Sequence, residues 1–186
     1  MKDRRDDGDH PRNPLRIMIW GLAAFALLLP LIAMQFTSEV DWDAADFVVF
    51  GVMLLVVCGG YELATLMTGN GAYRLAAGIA LLGAFLLTWM NLAVGIIGSE
   101  NNPANLIYFV MLLGTAIGAF IVRFGPRGMA RVMFATAVAQ GLIAVIVLVV
   151  GWGYTFVLTG FFVFVWLASA QLFRKAAEEL SASQDE

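Results

Sequence analysis

The chain has 186 residues, of which 61% are hydrophobic and 13% are charged, with a formal net charge of -3. Soluble domains carry about 25% charged residues, so this composition excludes an ordinary soluble protein. One cysteine excludes an intramolecular disulfide, and one histidine, His10, excludes bis-histidine haem and histidine-dependent catalytic pairs in the apolar part of the chain. These counts predict no cofactor, no metal site, no enzymatic activity and no nucleic-acid partner.

Six apolar stretches follow along the chain. Each is close to the roughly 20 residues with which a helix crosses a hydrocarbon core about 30 Å thick. The runs are continuous rather than alternating, which favours helices over strands. Short connections predict that consecutive helices pack as antiparallel neighbours. The sequence therefore predicts an all-α polytopic membrane protein, with a disordered tail at 1–16, a six-helix bundle over 17–173 and a short tail at 174–186. The predicted spans are 17–36, 47–67, 75–98, 106–124, 129–150 and 154–173.

The first apolar stretch has an alternative interpretation as a signal peptide. Basic residues precede it, and it ends in Ala33, Met34 and Gln35. However, it is about 20 residues long, whereas the apolar region of a signal peptide spans about 7–15. We therefore interpret this stretch as the first membrane span.

The basic residues are distributed asymmetrically between the connections. All eleven lie in the tails or beside the second and fourth connections, and the first, third and fifth connections have none. The positive-inside rule then predicts that both termini are cytoplasmic. Five acidic residues occupy the opposite side: Glu39, Asp41, Asp43, Asp46 and Glu100. Five spans would split the arginines between the two sides, so the distribution favours six.

Two helix starts carry typical capping residues. Asp43 can accept hydrogen bonds from free backbone N–H groups at the start of the second helix, where the dipole also favours Asp46. Asn102 and Pro103 play the corresponding roles for the fourth helix, with Asn as the cap and Pro at the first helical position. We expect both helices to begin at these residues.

Glu62 is the one acidic residue well inside a predicted span, roughly 8 Å from its cytoplasmic edge. Gly51, Leu55 and Cys58 precede it at helical spacing, so its face carries small and polar neighbours. One interpretation places the carboxyl toward the bundle or a water-filled vestibule, where it could exchange protons. The alternative is a shallow structural acid, which either extends its carboxyl to the membrane surface or pairs with Arg74, Arg123 or Arg131 at the same membrane face.

Small and polar residues form a stripe along the third predicted helix, and they typically let helix backbones approach closely. Asn91 lies on this stripe and could line a pore or bridge two helices. Gln140, near the middle of the fifth helix, has the same two interpretations, and Gly114 and Gly118 supply a GxxxG surface on the fourth. The residues of the third-helix stripe are Ala77, Ala80, Ala84, Thr88, Gly95 and Gly98.

The segment 89–105, WMNLAVGIIGSENNPAN, resembles a segment of small bacterial inner-membrane proteins of unassigned function. The resemblance extends more loosely over the second to fifth helices. It implies a bacterial cytoplasmic membrane and no particular activity. It also implies that five residues form a local unit: Asn91, Glu100, Asn101, Asn102 and Asn105.

Two functional hypotheses follow. The first is an interaction or accessory component that packs in the bilayer against a larger membrane complex or against itself, which the small-residue surfaces and the scarcity of intramembrane charge favour. The second is a small transporter or channel with Glu62, Asn91 and Gln140 on a polar path. A 58-residue internal repeat, in which 52–55 recurs at 110–113, would favour the transporter.

Overall fold

The computed structural model describes residues 14–152 and 155–183, and the described residues contain helices and no strand. Six helices are long and apolar enough to cross a membrane. The protein is therefore an all-α polytopic membrane protein, as the sequence predicted. The helices are α1 (Pro14–Ala33), α2 (Ala44–Met67), α3 (Gly71–Ala93), α4 (Leu106–Ile121), α5 (Pro126–Val150) and α6 (Phe156–Ala182), with a short 3-10 helix at Pro103–Asn105.

Two helices differ clearly from the predicted spans. α3 ends at Ala93 rather than at residue 98, and Gly95 and Gly98 lie beyond it with positive φ angles of 68° and 74°. Glycine adopts this left-handed conformation without the steric cost of a Cβ atom, and it is incompatible with a continuing helix. α6 continues to Ala182, so most of the predicted tail at 174–186 is helical. The predicted tail residues 1–13, the predicted start of the sixth span at 154 and residues 184–186 lie outside the described residues.

The last turns of α6 are stabilised in two ways. Ion pairs at i,i+4 spacing join Arg174 to Glu178 and Lys175 to Glu179 on the exposed face. On the other face, Ala176 and Ala177 are buried. The apolar run in the sequence predicted only the membrane-crossing part of α6, because charged residues end an apolar run without ending a helix.

The chain divides into two compact units, 1–62 and 63–186. The first contains α1 and most of α2. Asp43 caps α2 as predicted, because its Oδ1 accepts from the backbone N–H groups of Ala45 and Asp46. Asp46 Oδ2 in turn accepts from the Asp43 N–H, which completes a reciprocal cap. No residue of the apolar part of α1 is buried, whereas α2 buries Phe50 and Cys58.

The second unit is a bundle of α3, α4, α5 and α6. α6 packs between α3 and α5, and α4 packs mainly against α5 and less closely against α3. The largest fully buried side chains come from α6, α4, α3 and the connection after α3: Trp166, Tyr108, Phe162, Phe173, Leu87 and Ile97. The connections after α4 and α5 are short, so neighbouring helices run antiparallel.

Small residues allow close packing at particular points of this bundle. A Cβ atom added to Gly83 of α3 would lie 2.7 Å from Cγ1 of Val165 and 3.3 Å from the Trp166 ring. Gly118 of α4 lies against Val132 of α5, but Gly114 is exposed and has no neighbour there. Of the predicted stripe, Ala77 is buried and Ala80, Ala84 and Thr88 are half-buried, while Gly95 and Gly98 lie outside the helix.

Polar side chains also join the helices of the second unit. Ser169 of α6 donates to the Ala76 carbonyl of α3 at 3.0 Å, and the hydroxyls of Thr115 and Thr136 join α4 to α5 at 2.8 Å. The Tyr73 hydroxyl donates to the Phe124 carbonyl at 2.7 Å. Such bonds satisfy buried polar groups where lipid offers no partner, so they orient the helices as well as joining them.

Candidate functional site

The three predicted intramembrane polar residues are divided between the two units. Glu62 belongs to the first unit, whereas Asn91 and Gln140 belong to the second. Within the second unit, Asn91 is two residues from the end of α3 and Gln140 is near the middle of α5. No hydrogen bond joins these two side chains in the described part of the chain. Within the second unit, Asn91 and Gln140 therefore have separate surroundings.

Glu62 holds α1 to α2. Its Oε1 lies 2.8 Å from an Arg16 guanidinium nitrogen, and its Oε2 accepts a hydrogen bond from the Trp20 indole N–H at 3.0 Å. Arg16 and Trp20 are four residues apart, so both reach Glu62 from one face of α1. The carboxylate thus has a cation and an indole donor, and it is about one quarter exposed.

The ion pair of Glu62 within the first unit involves an arginine that the sequence analysis did not name. The structural alternative named Arg74, Arg123 and Arg131, all of the second unit, whereas this ion pair is made with Arg16, from the preceding helix. Arg74 instead caps the end of α2, because its guanidinium donates to the carbonyls of Thr68 and Thr65 at 2.9 Å each. The sequence did not reveal the contact with Arg16, because that contact depends on α1 lying beside α2.

Asn105 organises the connection between α3 and α4. Its Oδ1 accepts from the backbone N–H groups of Ile96 and Ile97, at 3.1 and 2.8 Å. Its Nδ2 donates to the Ser99 carbonyl at 2.7 Å. Asn105 is 5% exposed, so these bonds form away from water and replace the secondary-structure partners that the connection lacks.

Asn91 anchors the same connection from α3. Its Nδ2 donates to the Asn105 carbonyl at 2.9 Å, so the end of α3 is tied to the start of α4. Asn102 caps the 3-10 helix by accepting from the Ala104 N–H at 3.0 Å. Asn91, Asn102 and Asn105 therefore act in one structural unit. Of the two interpretations of Asn91, this contact supports the bridge rather than the pore lining.

The connection closes one end of the second unit. Ile96 and Ile97 are 7% and 0% exposed and belong to the hydrophobic core of the bundle. Gly95 permits the tight fold of this segment, because a Cβ atom there would lie 2.3 Å from the backbone carbon of Ser99. Glu100 and Asn101 are exposed at the tip. We refer to residues 94–105 as the closing segment.

Gln140 and Trp166 are two of the buried polar side chains near the middle of the second unit. Each is 1% exposed, and neither Gln140 Oε1 nor Trp166 Nε1 has a hydrogen-bond partner within the described chain. Gln140 lies ten residues before the end of α5, and Trp166 lies ten residues after the start of α6. At about 1.5 Å per residue, both are roughly 15 Å from the α5–α6 connection, so they share a level of the bundle.

Sequence reasoning did not single out several of the buried polar residues, among them Trp166, Tyr108 and Thr155. Trp166 stands in an aromatic run, Phe161 to Trp166, that gives no sign of which ring faces the core. Tyr108 lies near the start of α4 and Thr155 directly precedes α6, and both resemble ordinary residues of the membrane interface. The resemblance of segment 89–105 did name Asn105 as part of a local unit. Its central role, however, is evident only from the hydrogen bonds that its side chain accepts from two backbone N–H groups.

Comparisons with known proteins do not extend this description. No protein-family model, curated protein or solved structure matches the chain. The fold alone defines the class of the protein, an all-α polytopic membrane protein. Any functional inference therefore depends on the contacts within the two units.

Proposed function

We propose that the protein is an interaction or accessory component of the bacterial cytoplasmic membrane, without catalytic activity of its own. The observation that carries this proposal is the use of Glu62 and Asn91. Both side chains are engaged in bonds that join one structural element to the next. A transporter would need such groups to be available to a moving substrate.

Glu62 supports the proposal because its contacts are those of a structural tie. Its ion pair and its indole hydrogen bond are both made with side chains of α1, which has no buried residue in its apolar part. A charged residue within a membrane span is costly unless it is paired. Here the pairing accounts for the presence of the carboxylate without a transported ion.

The closing segment supports the proposal from the second unit. Buried Ile96 and Ile97 fill the end of the bundle where a path would have to open, and Asn105 and Asn91 hold them in place. A segment fixed by these internal hydrogen bonds can present a rigid surface to a partner. It also presents Glu100 and Asn101 to the surroundings for contact with a partner.

The exposed surfaces are suited to lipid and to other membrane helices. α4 exposes Val110, Leu113, Ile117 and Phe120, and Gly114 lies open between them. Apolar surface of this kind matches the bilayer, and an open glycine permits close approach of a further helix. A larger membrane complex or a second copy of the chain would use such a face.

The proposed orientation has both termini in the cytoplasm and the closing segment on the opposite side. Substituted cysteines test it, because the native Cys58 is buried and gives little background. An impermeant maleimide should label Asn101→Cys in intact cells. It should label Ser183→Cys only after permeabilisation. The reverse pattern would overturn the orientation.

The proposed function is tested by gentle extraction of the tagged protein from native membranes, followed by mass spectrometry. We expect a second membrane protein in stoichiometric amount, or a homo-oligomer. A photo-cross-linker at the exposed α4 position Leu113 should capture the same partner. The matched control places the photo-cross-linker at Leu82, on the exposed face of α3. A monomer without cross-linked partners at either position would overturn the proposal.

A small transporter or channel is the second candidate, and Gln140 favours it. Its amide oxygen and the Trp166 indole N–H are buried at one level without partners in the described chain. Unpaired groups of this kind offer hydrogen bonds to a small solute. Solute uptake by proteoliposomes that Gln140→Leu abolishes, without loss of folded protein, would favour transport over the accessory role.

A further inference from the structure

The basic side chains of the described chain fall into two groups. Arg123, Arg127 and Arg131 are exposed, and none of their guanidinium groups makes an ion pair or a hydrogen bond within the part of the chain that the structure describes. Every other basic side chain of residues 14–152 and 155–183 is paired with a carboxylate or bonded to backbone carbonyls: Arg16, Arg74, Arg174 and Lys175. The α4–α5 connection and the start of α5 therefore concentrate positive charge that these residues do not balance.

Two of these arginines lie on one face of α5. Arg127 and Arg131 are four residues apart, or about 6 Å along the helix axis, and like charges at this spacing repel each other. The last turns of α6 lie beside the start of α5, and there the same i,i+4 spacing joins each cation to a glutamate. The charges of α6 are thus balanced internally, whereas those of α5 are left for an external anion.

The third arginine is held next to α5 by a tight connection. Arg123 and Phe124 have left-handed φ angles of 52° and 56°, and the Phe124 N–H donates to the Ala119 carbonyl at 3.0 Å. The Phe124 side chain packs against the core of the bundle. A Cβ atom added to Gly128 would lie 2.5 Å from Val122 Cβ, so the first turn of α5 lies directly on the connection. The three cations therefore stand on a rigid base.

An open cavity of about 350 Å³ lies beside Arg127. Its walls are residues 125–128 at the start of α5 and Ala177, Leu180 and Ser181 near the end of α6. The Ser181 hydroxyl donates to the Glu178 carbonyl at 2.9 Å, so its oxygen can still accept a hydrogen bond. Ligand pockets typically measure about 300–1,000 Å³, and this cavity is large enough for a small polar headgroup.

The exposed face of α5 continues from the arginines as an apolar surface. Phe134, Val138 and Leu142 follow Arg131 at spacings of three and four residues, and all three are exposed. One helix face thus carries cations at its end and apolar side chains deeper in the membrane. This order of polarity matches a phospholipid, with its phosphate at the membrane surface and its acyl chains along the helix. A soluble phosphate would contact only the charged end.

We propose that the second unit binds an anionic phospholipid at the start of α5. The phosphate lies between Arg127 and Arg131, the headgroup enters the cavity beside Ser181, and an acyl chain follows α5 toward Phe134 and Val138. Guanidinium groups bind phosphate through charge-assisted, often bidentate hydrogen bonds. A zwitterionic headgroup fits less well, because it brings a further positive charge to a cluster of cations. The site is independent of whether the protein acts as an accessory component or a transporter.

Native mass spectrometry of the full chain in detergent tests the proposal, with phosphatidylglycerol and phosphatidylcholine as probes. We expect an affinity for phosphatidylglycerol at least five-fold above that for phosphatidylcholine. Arg127→Gln and Arg131→Gln should each lower the phosphatidylglycerol affinity about five-fold, the contribution of one basic residue near an anionic lipid surface. Arg174→Gln is the matched control, because it removes the same charge at the same end of the bundle from a side chain already paired with Glu178.

Three outcomes would overturn the proposal. Equal affinities for the two lipids would show that the cations select no anionic headgroup. An equal loss of phosphatidylglycerol affinity in Arg127→Gln and Arg174→Gln would indicate a general effect of net charge. Inorganic phosphate at millimolar concentration should not displace the lipid, because phosphate makes no contact with the apolar face. Displacement would show that the site recognises phosphate rather than a lipid.

Photo-cross-linking gives a second test in a chain that keeps all its arginines. In nanodiscs with equal amounts of the two lipids, a photo-cross-linker at Phe134 should capture phosphatidylglycerol several-fold more often than phosphatidylcholine. The matched control is the same group at Leu82, which is exposed on α3, and it should capture the two lipids equally. Equal capture of the two lipids at Phe134 would overturn the proposal.

Discussion

Different kinds of interaction hold the helices together inside each of the two units. In the first unit, α1 buries no residue of its apolar part, and an ion pair with a hydrogen bond to Glu62 joins it to α2. In the second, four helices share a core of large side chains around Trp166, with buried hydrogen bonds at several levels. In a bilayer, burial of apolar surface between helices gains little over contact with lipid, so polar ties and close packing decide stability.

This difference indicates where the protein can tolerate change. A helix held at one polar position can separate from its neighbour when that position is altered, while its exposed surface remains solvated by lipid. A helix fixed within a closed bundle cannot move without breaking contacts with two neighbours. We therefore expect substitutions in the second unit to affect global stability and substitutions at Glu62 to affect α1 alone.

The largest expected effect is that of Asn105→Ala. It leaves the buried N–H groups of Ile96 and Ile97 without their acceptor and removes the donor to Ser99. Unsatisfied buried donors cost about 1–3 kcal/mol each, so we expect a loss of roughly 3 kcal/mol in unfolding free energy. Thermal unfolding in detergent measures it.

Asn102→Ala is the matched control for Asn105→Ala. It lies in the same segment and removes a capping bond to the partly buried Ala104 N–H, which is worth about 1 kcal/mol. If the two variants had equal melting temperatures, the closing segment would not depend on Asn105, and the second unit would be less tightly fixed than the structure indicates.

A smaller effect is expected for Gly83→Ala. The added Cβ atom would lie 2.7 Å from Val165 Cγ1, closer than van der Waals contact allows, so the Val165 side chain or the two helices must shift. Overpacking of this kind costs about 1–3 kcal/mol. Gly160→Ala on α6 is the control, because no atom lies within 4 Å of that added Cβ. A melting temperature unchanged by Gly83→Ala would contradict close α3–α6 packing.

The smallest effect on global stability is expected for Glu62→Gln. The Arg16 side chain is 65% exposed, and ion pairs of such side chains contribute about 1 kcal/mol or less. Locally, α1 should separate from α2. Cysteines at Leu27 and Gly51, which lie side by side, report this separation through their cross-linking yield in a Cys58→Ala background.

We expect Glu62→Gln to lower that yield while leaving the melting temperature of the second unit nearly unchanged. Glu39→Gln, in the exposed connection between α1 and α2, should leave both quantities unchanged. An unaltered yield in the Glu62 variant would show that apolar contacts, rather than the polar tie, join α1 to α2. The first unit would then be held together by packing, as the second is.

The fold class was predictable because it depends on local quantities. The number of spans follows from apolar runs, and the start of α2 follows from Asp43 and Asp46, whose capping bonds are local in sequence. The end of α3 was predicted too late, because glycine does not interrupt an apolar run in the sequence. In the structure, Gly95 and Gly98 adopt left-handed conformations, which are incompatible with a continuing helix.

The candidate site was less predictable because its contacts join residues distant in sequence. Glu62 was recognised from its type and position, but its partners lie 46 and 42 residues earlier. Asn91 was recognised as polar within a stripe, yet its bond partner is a backbone carbonyl, which no side-chain pattern reveals. Which helices are neighbours must be known before either contact can be named.

The length of α6 has a consequence for how deeply the second unit sits in the bilayer. Its 27 residues extend about 40 Å, roughly 10 Å more than the hydrocarbon core. The excess carries Arg174, Lys175 and two glutamates, and Glu179 accepts a hydrogen bond from Asn70 beside the start of α3. These charges favour the headgroup layer, so the end of α6 sets the vertical register of the bundle and resists its displacement along the membrane normal.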